Sequence, residues 1–272
     1  MTWAVIARKE FEDVVDPRFG KAGLAAVALV FVLGGYILPM NVPEPTSAQY
    51  ASYMNGAVSL VVPLFGLLMG YKTIVADRAA GRLTLLFTLP YSRRDAVLGK
   101  YVARAGLLAA AVATGVLAGS WLVYYPFGSF DAVVVLGYLA VTCCYGLAFL
   151  GIGFAISTLT TSNRVASGAT FGTFVLFVVL WGQLRGALAL ALEYLGLADG
   201  SLPDWALFLH GLEPSLLYSR VVTGFYADVT TGSYFGPDAA WYLGAWPALA
   251  ALLAWTVAPL ALGYARFEAT DL

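Results

Sequence analysis

One histidine, His210, two adjacent cysteines, Cys143 and Cys144, and sixteen carboxylates are the side chains through which this sequence could carry out acid–base, nucleophilic or metal chemistry. Their spacing supports little of it. Hydrolysis needs a nucleophile with a base in reach, or a metal with its ligands, and His210 has only Glu213, three residues on, as a neighbouring partner. His210 is therefore read as an exposed or interfacial polar residue. Cys143 and Cys144 are too close together for the ordinary α-carbon separation of a disulfide. A soft-metal site would ask for Met or His beside them, and the surrounding apolar run offers none. They read as small packing residues. No phosphate-cradling Gly-x-x-x-x-Gly-Lys-Ser/Thr loop occurs, because Gly99-Lys100 is followed by Tyr101 with no glycine-rich stretch before it. The chain is expected not to hydrolyse ATP itself, and to bind no cofactor, metal or nucleic acid.

Charge concentrates instead between Asp77 and Arg104. Six of the fifteen basic residues fall there (Arg78, Arg82, Arg93, Arg94, Lys100 and Arg104), against two acids, Asp77 and Asp95. Inside this island Leu83, Leu85, Leu86, Phe87 and Leu89 form an apolar run bounded by Gly81 and Pro90. Glycine and proline each disfavour a helix interior, which confines a helix here to about two turns. That is far short of the ~20 residues a bilayer crossing requires. A short surface helix suited to docking is the natural reading.

The elements that must position this island are membrane spans. The sequence is 60% hydrophobic and 11% charged, where a soluble domain has roughly 25% charged residues. Residues 1–21 begin with Trp3, Ala7, Phe11 and Val14 at helical spacing and Arg8, Lys9, Glu12 and Asp13 on other faces, which predicts an amphipathic elbow helix at the headgroup zone. Spans are expected at 22–38, 55–75, 101–124, 132–158, 165–181 and 239–264, with the charged segment 77–100 between the second and third. Residues 183–238, rich in acids, are expected to form a helical external cap, with Leu188–Leu195 and Leu216–Val222 lying against the outer surface as short helices. On this arrangement thirteen basic residues face the cytosol and two, Arg185 and Arg220, face outward, so both termini are placed in the cytosol of a multi-pass plasma-membrane protein. The spans carry no Asp, Glu or His at mid-depth, which disfavours an ion-coupled carrier. The pairs Gly66/Gly70, Gly115/Gly119, Gly168/Gly172 and Gly182/Gly186 fit a pattern of close helix approach, within one bundle or across a homodimer seam.

The run Asp77-Arg78-Ala79-Ala80-Gly81-Arg82-Leu83-Thr84-Leu85-Leu86-Phe87-Thr88-Leu89-Pro90-Tyr91-Ser92-Arg93-Arg94, followed by Leu98-Gly99-Lys100, resembles the motif between spans two and three of type-2 export permeases of ATP-binding-cassette transporters. The likeness extends over the whole chain as a single permease domain. It departs from the family in having Asp77 where glutamate is common and Arg82 where a small hydroxyl residue is frequent. The resemblance implies an all-α membrane subunit working as a homodimer with a separate ATPase that holds ATP and Mg. Leu83, Leu86 and Phe87 would contact that partner, flanked by Asp77, Gly81, Arg82, Pro90, Arg93 and Arg94. The apolar spans point to a hydrophobic or amphipathic cargo. An ion-coupled carrier and a non-transporting assembly factor that docks a cytosolic partner are the alternatives.

Overall fold

In a computed structural model, which describes residues 3–15, 18–88, 91–127, 130–199 and 201–269, the chain is helical with no strand among the described residues. Six helical segments of 22 to 33 residues are long and apolar enough to cross a membrane. With no water in the hydrocarbon, a lone segment satisfies its backbone only as a helix. In chain order the elements are α1 (Trp3–Val15), α2 (Arg18–Asn41), α3 (Ser47–Gly70), α4 (Val75–Ala79), α5 (Arg82–Phe87), α6 (Arg93–Phe127) and α7 (Ala132–Leu159). Next comes α8 (Asn163–Phe174), joined through a π-helical turn, Val175–Leu180, to α9 (Trp181–Tyr194). The chain ends with α10 (Asp204–His210), α11 (Pro214–Tyr226), a 3₁₀ turn at Trp241–Leu243 and α12 (Ala245–Glu268). Successive spans alternate in direction, so α4 and α5 share one end of the bundle, here called the basic end, with α1.

Start signals are written in side chains. Thr46 and Gln49 form a reciprocal capping box at α3, and Asp131 accepts from the N–H groups of Val133 and Val134 at α7. Glu213, with Pro214 behind it, caps α11 in the same way.

Backbone contact at glycine sets two seams. A β-carbon at Gly70 would stand 2.5 Å from the Leu150 carbonyl oxygen, and one at Gly153 would stand 2.7 Å from that of Leu67, so α3 and α7 touch main chain to main chain. Gly119 of α6 is equally tight against Phe31 of α2. The Gly66/Gly70 and Gly115/Gly119 pairs thus serve packing inside this chain. Gly168, Gly172, Gly182 and Gly186, all on α8–α9, face open space within 4 Å.

The helix begun at Asn163 continues to Tyr194, beyond the span expected to stop at 181. The larger departure lies in the segment expected as a surface cap. Helix α11 folds back into the bundle, wedged among α3, α7 and α12 with Leu217, Tyr218, Val221 and Val222 fully buried, while α10 packs in a separate small cluster with Leu192 of α9 and Leu243. The tip of this hairpin reaches mid-height. Ser215 lies 3.0 Å from the hydroxyl of Tyr145, halfway along α7, and that hydroxyl is also 3.0 Å from the carbonyl oxygen of Ser59, halfway along α3. Trp255 of α12 donates to the carbonyl of Leu212 at 2.8 Å. Further up, Asn55 donates to Ser219 at 2.9 Å and Ser52 to the Tyr226 carbonyl at 2.7 Å.

This insertion corrects the reading of His210. It is buried, with its Nε2 3.1 Å from the Trp181 carbonyl oxygen, while the Trp181 indole donates to the His210 carbonyl at 2.9 Å. A carboxylate and an imidazole therefore do reach mid-bundle, carried by the hairpin rather than by a span.

The charged clamp at the basic end

The site begins where α3 stops. Thr73 donates to the Gly70 carbonyl at 2.6 Å, and the Ser157 hydroxyl of α7 accepts from the N–H groups of Ile74 and Val75 at 2.8 and 3.0 Å. These bonds satisfy backbone donors that the start of α4 would leave orphaned. Helix α4 runs only to Ala79. Gly81, at φ +68°, then reverses the chain in the left-handed region where glycine carries no steric penalty, and α5 follows at once.

Five charged side chains alternate across this turn. The Arg82 guanidinium lies 3.5 Å from Asp77, whose other oxygen is 2.7 Å from Lys100; Lys100 in turn is 2.7 Å from Glu10, and Glu10 is gripped by Arg104. Arg104 Nε donates to Glu10 at 2.7 Å, and another of its N–H groups caps the Met69 carbonyl at the end of α3. The chain of charges thus ties α5, α4, α6, α1 and α3 together. Lys100 and Glu10 are almost wholly buried, with side chains 9% and 6% exposed. Burial alone would raise the Glu10 pKa, but Arg104 and Lys100 outweigh it and hold the carboxyl below its usual value.

Gly99 makes the α1 contact possible, because a β-carbon there would stand 2.7 Å from the Trp3 carbonyl oxygen. The buried face of α1 is Ile6 and Glu10, whereas Phe11, expected on the apolar stripe, is 48% exposed. On the outer face Arg8 and Glu12 pair at 3.4 Å. Lys9 and Asp13, spaced in the same way, make no ion pair with any described residue.

A second set of contacts binds the island to the last span. Leu83 is buried in a small cluster with Ile74, Val97, Phe154 and Phe267. Arg93 donates to the carbonyls of Phe267 and Glu268 at 2.9 and 3.1 Å, capping the end of α12 where cations are favoured. Arg78 donates to the Thr160 carbonyl at 3.1 Å, and both arginines lie over the Phe267 ring. Ser92 and Asp95 cap α6 reciprocally, with hydroxyl and carboxylate 2.7 Å apart.

A family model of ABC-2 family transporter proteins matches residues 4–272. The chain belongs to the ABC-2 family. Among curated proteins it is 29% identical over 283 aligned positions to the probable ABC transporter permease protein NosY of Stutzerimonas stutzeri, covering 97% of this chain and 96% of the relative. It is 26% identical over 244 positions to the protein of the same name from Pseudomonas aeruginosa, covering 84% of each. The chain is accordingly a multi-pass membrane subunit of an ABC transporter, a class that works with an ATPase subunit.

In this ABC-2 chain the structure divides the residues singled out from sequence. Asp77, Gly81 and Arg82 form the turn and the outer links of the charge chain, and Arg93 anchors α12. Leu83, expected among the apolar contacts of a partner, is turned inward and only 2% exposed. Leu86 is half-buried against the cleft between α5 and α1, and Arg94 is exposed. Pro90 and the Phe87 side chain lie outside the described residues. Glu10 has no role in the sequence reading, and Lys100 and Arg104 enter it only as charges of the island, although those two stand four apart at the start of a long apolar run and Glu10 follows Ile6 by four. Those spacings mark charges on buried faces.

Proposed function

We propose that this chain is the membrane-spanning subunit of an exporter in which a separate ATPase subunit docks on α5 and moves the spans through it. The basic end and both termini face the cytosol on this reading, in keeping with the charge asymmetry of the loops. The carrying observation is the alternating charge chain Arg82–Asp77–Lys100–Glu10–Arg104 together with the inward plug of Leu83. Burying Leu83 contributes about 1.5–3 kcal/mol relative to exposure, and Arg93 holds the end of α12. A displacement of α5 is therefore passed to α1, α3, α6 and α12 at once.

Leu83 acts in this mechanism as the anchor of α5, and Leu86, Phe87 and Arg82 remain the candidate partner contacts, flanked by Pro90 and Arg94. ATP and Mg reside in the partner, and the cargo is hydrophobic or amphipathic. A second copy of the chain packs on α8–α9, where Ala166, Thr170 and Leu192 are the buried residues of two helices and four glycines stand open. Close approach of glycine-bearing faces is a common way for helices to associate in lipid.

The test is co-purification from the native membrane in mild detergent. Wild-type protein should carry a nucleotide-binding subunit in equal amount, and Leu86→Asp with Phe87→Asp should lose it while still inserting. An unchanged yield of ATPase would refute docking on α5. The buried Glu213 and His210 favour one competing reading, an ion-coupled carrier. Glu213, however, spends its two oxygens on the N–H groups of Ser215 and Leu216, each at 2.8 Å. Transport that collapses with an ionophore and persists without any ATPase would establish the carrier instead.

A further inference from the structure

Between α1 and the α4–α5 turn lies a cleft of about 310 Å³ that the charge chain borders without filling. Five basic side chains line it against three carboxylates. Lys100, Arg104 and Arg82 are occupied by Glu10 and Asp77. Lys9, from α1, and Lys72, from the turn after α3, are exposed and make no ion pair with any described residue. Asp13 of α1 also lines the cleft without an ion pair to any described residue, and Lys72 lies 5.1 Å over the Tyr71 ring. With all charges counted, a surplus of two positive charges faces the cleft, five against three. On the other side of Arg104 is a second hollow, also about 310 Å³. It is apolar, formed by Leu24 of α2, Phe65, Leu68 and Met69 of α3 and Val14 of α1. Both volumes lie at the lower edge of what small ligands occupy. Arg104 lines both, so a basic cleft and a greasy groove adjoin at the basic end of the bundle.

We infer that an anionic phospholipid of the adjoining leaflet binds here, with its phosphate between Lys9 and Lys72 and an acyl chain in the groove beside Phe65 and Leu68. Charge complementarity selects the phosphate, since each lysine near a membrane surface favours an anionic headgroup. The adjoining groove selects a lipid over a soluble anion, which would leave the apolar surface uncovered. The lipid would seat α1 against α3 and α6, the helices that Arg104 and Glu10 already join. This inference rests on the chain spanning a membrane; Arg82 and Leu86, proposed contacts of the ATPase, border the same cleft, but the phosphate is assigned to Lys9 and Lys72, which that docking does not use.

The experiment is native mass spectrometry of the full-length, delipidated protein in detergent, titrated with phosphatidylglycerol or phosphatidylcholine of identical acyl chains. Phosphatidylglycerol should bind at least about tenfold more tightly. K9Q with K72Q, two exposed positions, should remove about a tenfold preference without moving the thermal midpoint. L68W, which fills the groove, should weaken phosphatidylglycerol while leaving that midpoint in place, and glycerol 3-phosphate should compete poorly. Equal binding of the two lipids, or a double variant that retains the preference, overturns the site. Full competition by glycerol 3-phosphate together with an indifferent L68W would show a soluble-anion site and overturn the lipid.

Discussion

Glu10 is the more deeply buried acid of the charge chain, held by Arg104 and by Lys100, which it shares with Asp77. Breaking a buried pair by removing one partner leaves an uncompensated charge and costs about 3–5 kcal/mol. Glu10→Gln should therefore lower the thermal midpoint in detergent more than any neutralisation on the exposed face of α1, such as Glu12→Gln. The sign of the pH dependence follows from the lowered carboxyl pKa. A depressed carboxylate stabilises the fold above its unfolded value of roughly 4.3 and loses that contribution as pH falls through the lower folded value. The midpoint difference between wild type and Glu10→Gln should be constant above about pH 5 and shrink below it; a difference that shrank from pH 7 downward would contradict the assignment. At Gly81 the constraint is conformational. Nothing lies within 4 Å of a β-carbon there, yet φ is +68°. Gly81→Ala should cost about 1–2 kcal/mol from backbone alone. Gly81→Asn should cost less and Gly81→Val more, as ranked by denaturation midpoints, since asparagine tolerates this region and β-branched residues do not.

Among the elements, α3 and α7, like α2 and α6, meet main chain to main chain and have little room to adjust. Overpacking a tight contact typically costs 1–3 kcal/mol, and at Gly70 the obstructing atoms are backbone, which has no rotamer to escape into. Gly70→Val should reduce the yield of folded monomer measured by size exclusion, while Gly168→Val on the open face of α8 should leave the folded chain intact. Equal damage from both would mean that the α3–α7 seam is not main-chain tight. The α10–α11 hairpin shows a different logic. Its helix α11 carries Ser215, Tyr218 and Ser219 among apolar residues, and each finds a partner on α3 or α7. The Tyr145 and Tyr218 rings stack at 4.3 Å across the same seam. Polar side chains that would be a liability in lipid become the bonds that fix the hairpin at mid-height.

For the whole molecule, packing is lopsided. Helices α2, α3, α6, α7, α11 and α12 supply one continuous apolar core, whereas α8–α9 touches it along a thin line. That imbalance is what a subunit with its partner removed should show. If a second copy covers α8–α9, Gly172→Cys should form a disulfide-linked dimer in native membranes under mild oxidation. A cysteine at Leu29 on α2, exposed on a different helix, should not. Dimers from Leu29→Cys alone would move the seam.

The sequence by itself determined the six crossings and the place of the charged island, because span length and local charge are properties of a continuous stretch. Hydrocarbon forces a lone apolar segment to close its own hydrogen bonds, so its composition is enough to recognise it. Gly81 was legible in the same way, as a residue that bounds a short helix and whose role lies within a few positions. Tertiary structure alone decided the rest. Lys100 meets an acid 90 residues away, and Ser52 meets a carbonyl 174 residues away. Whether Leu83 faces a partner or its own bundle depends on Phe154 and Phe267, far along the chain. Residues 204–226 read as a cap because their helices are too short to cross a bilayer. Helix α11 is inside because Tyr145 and Trp255 offer polar partners to Ser215 and Leu212 at mid-height, and no local pattern records what a distant helix has to offer.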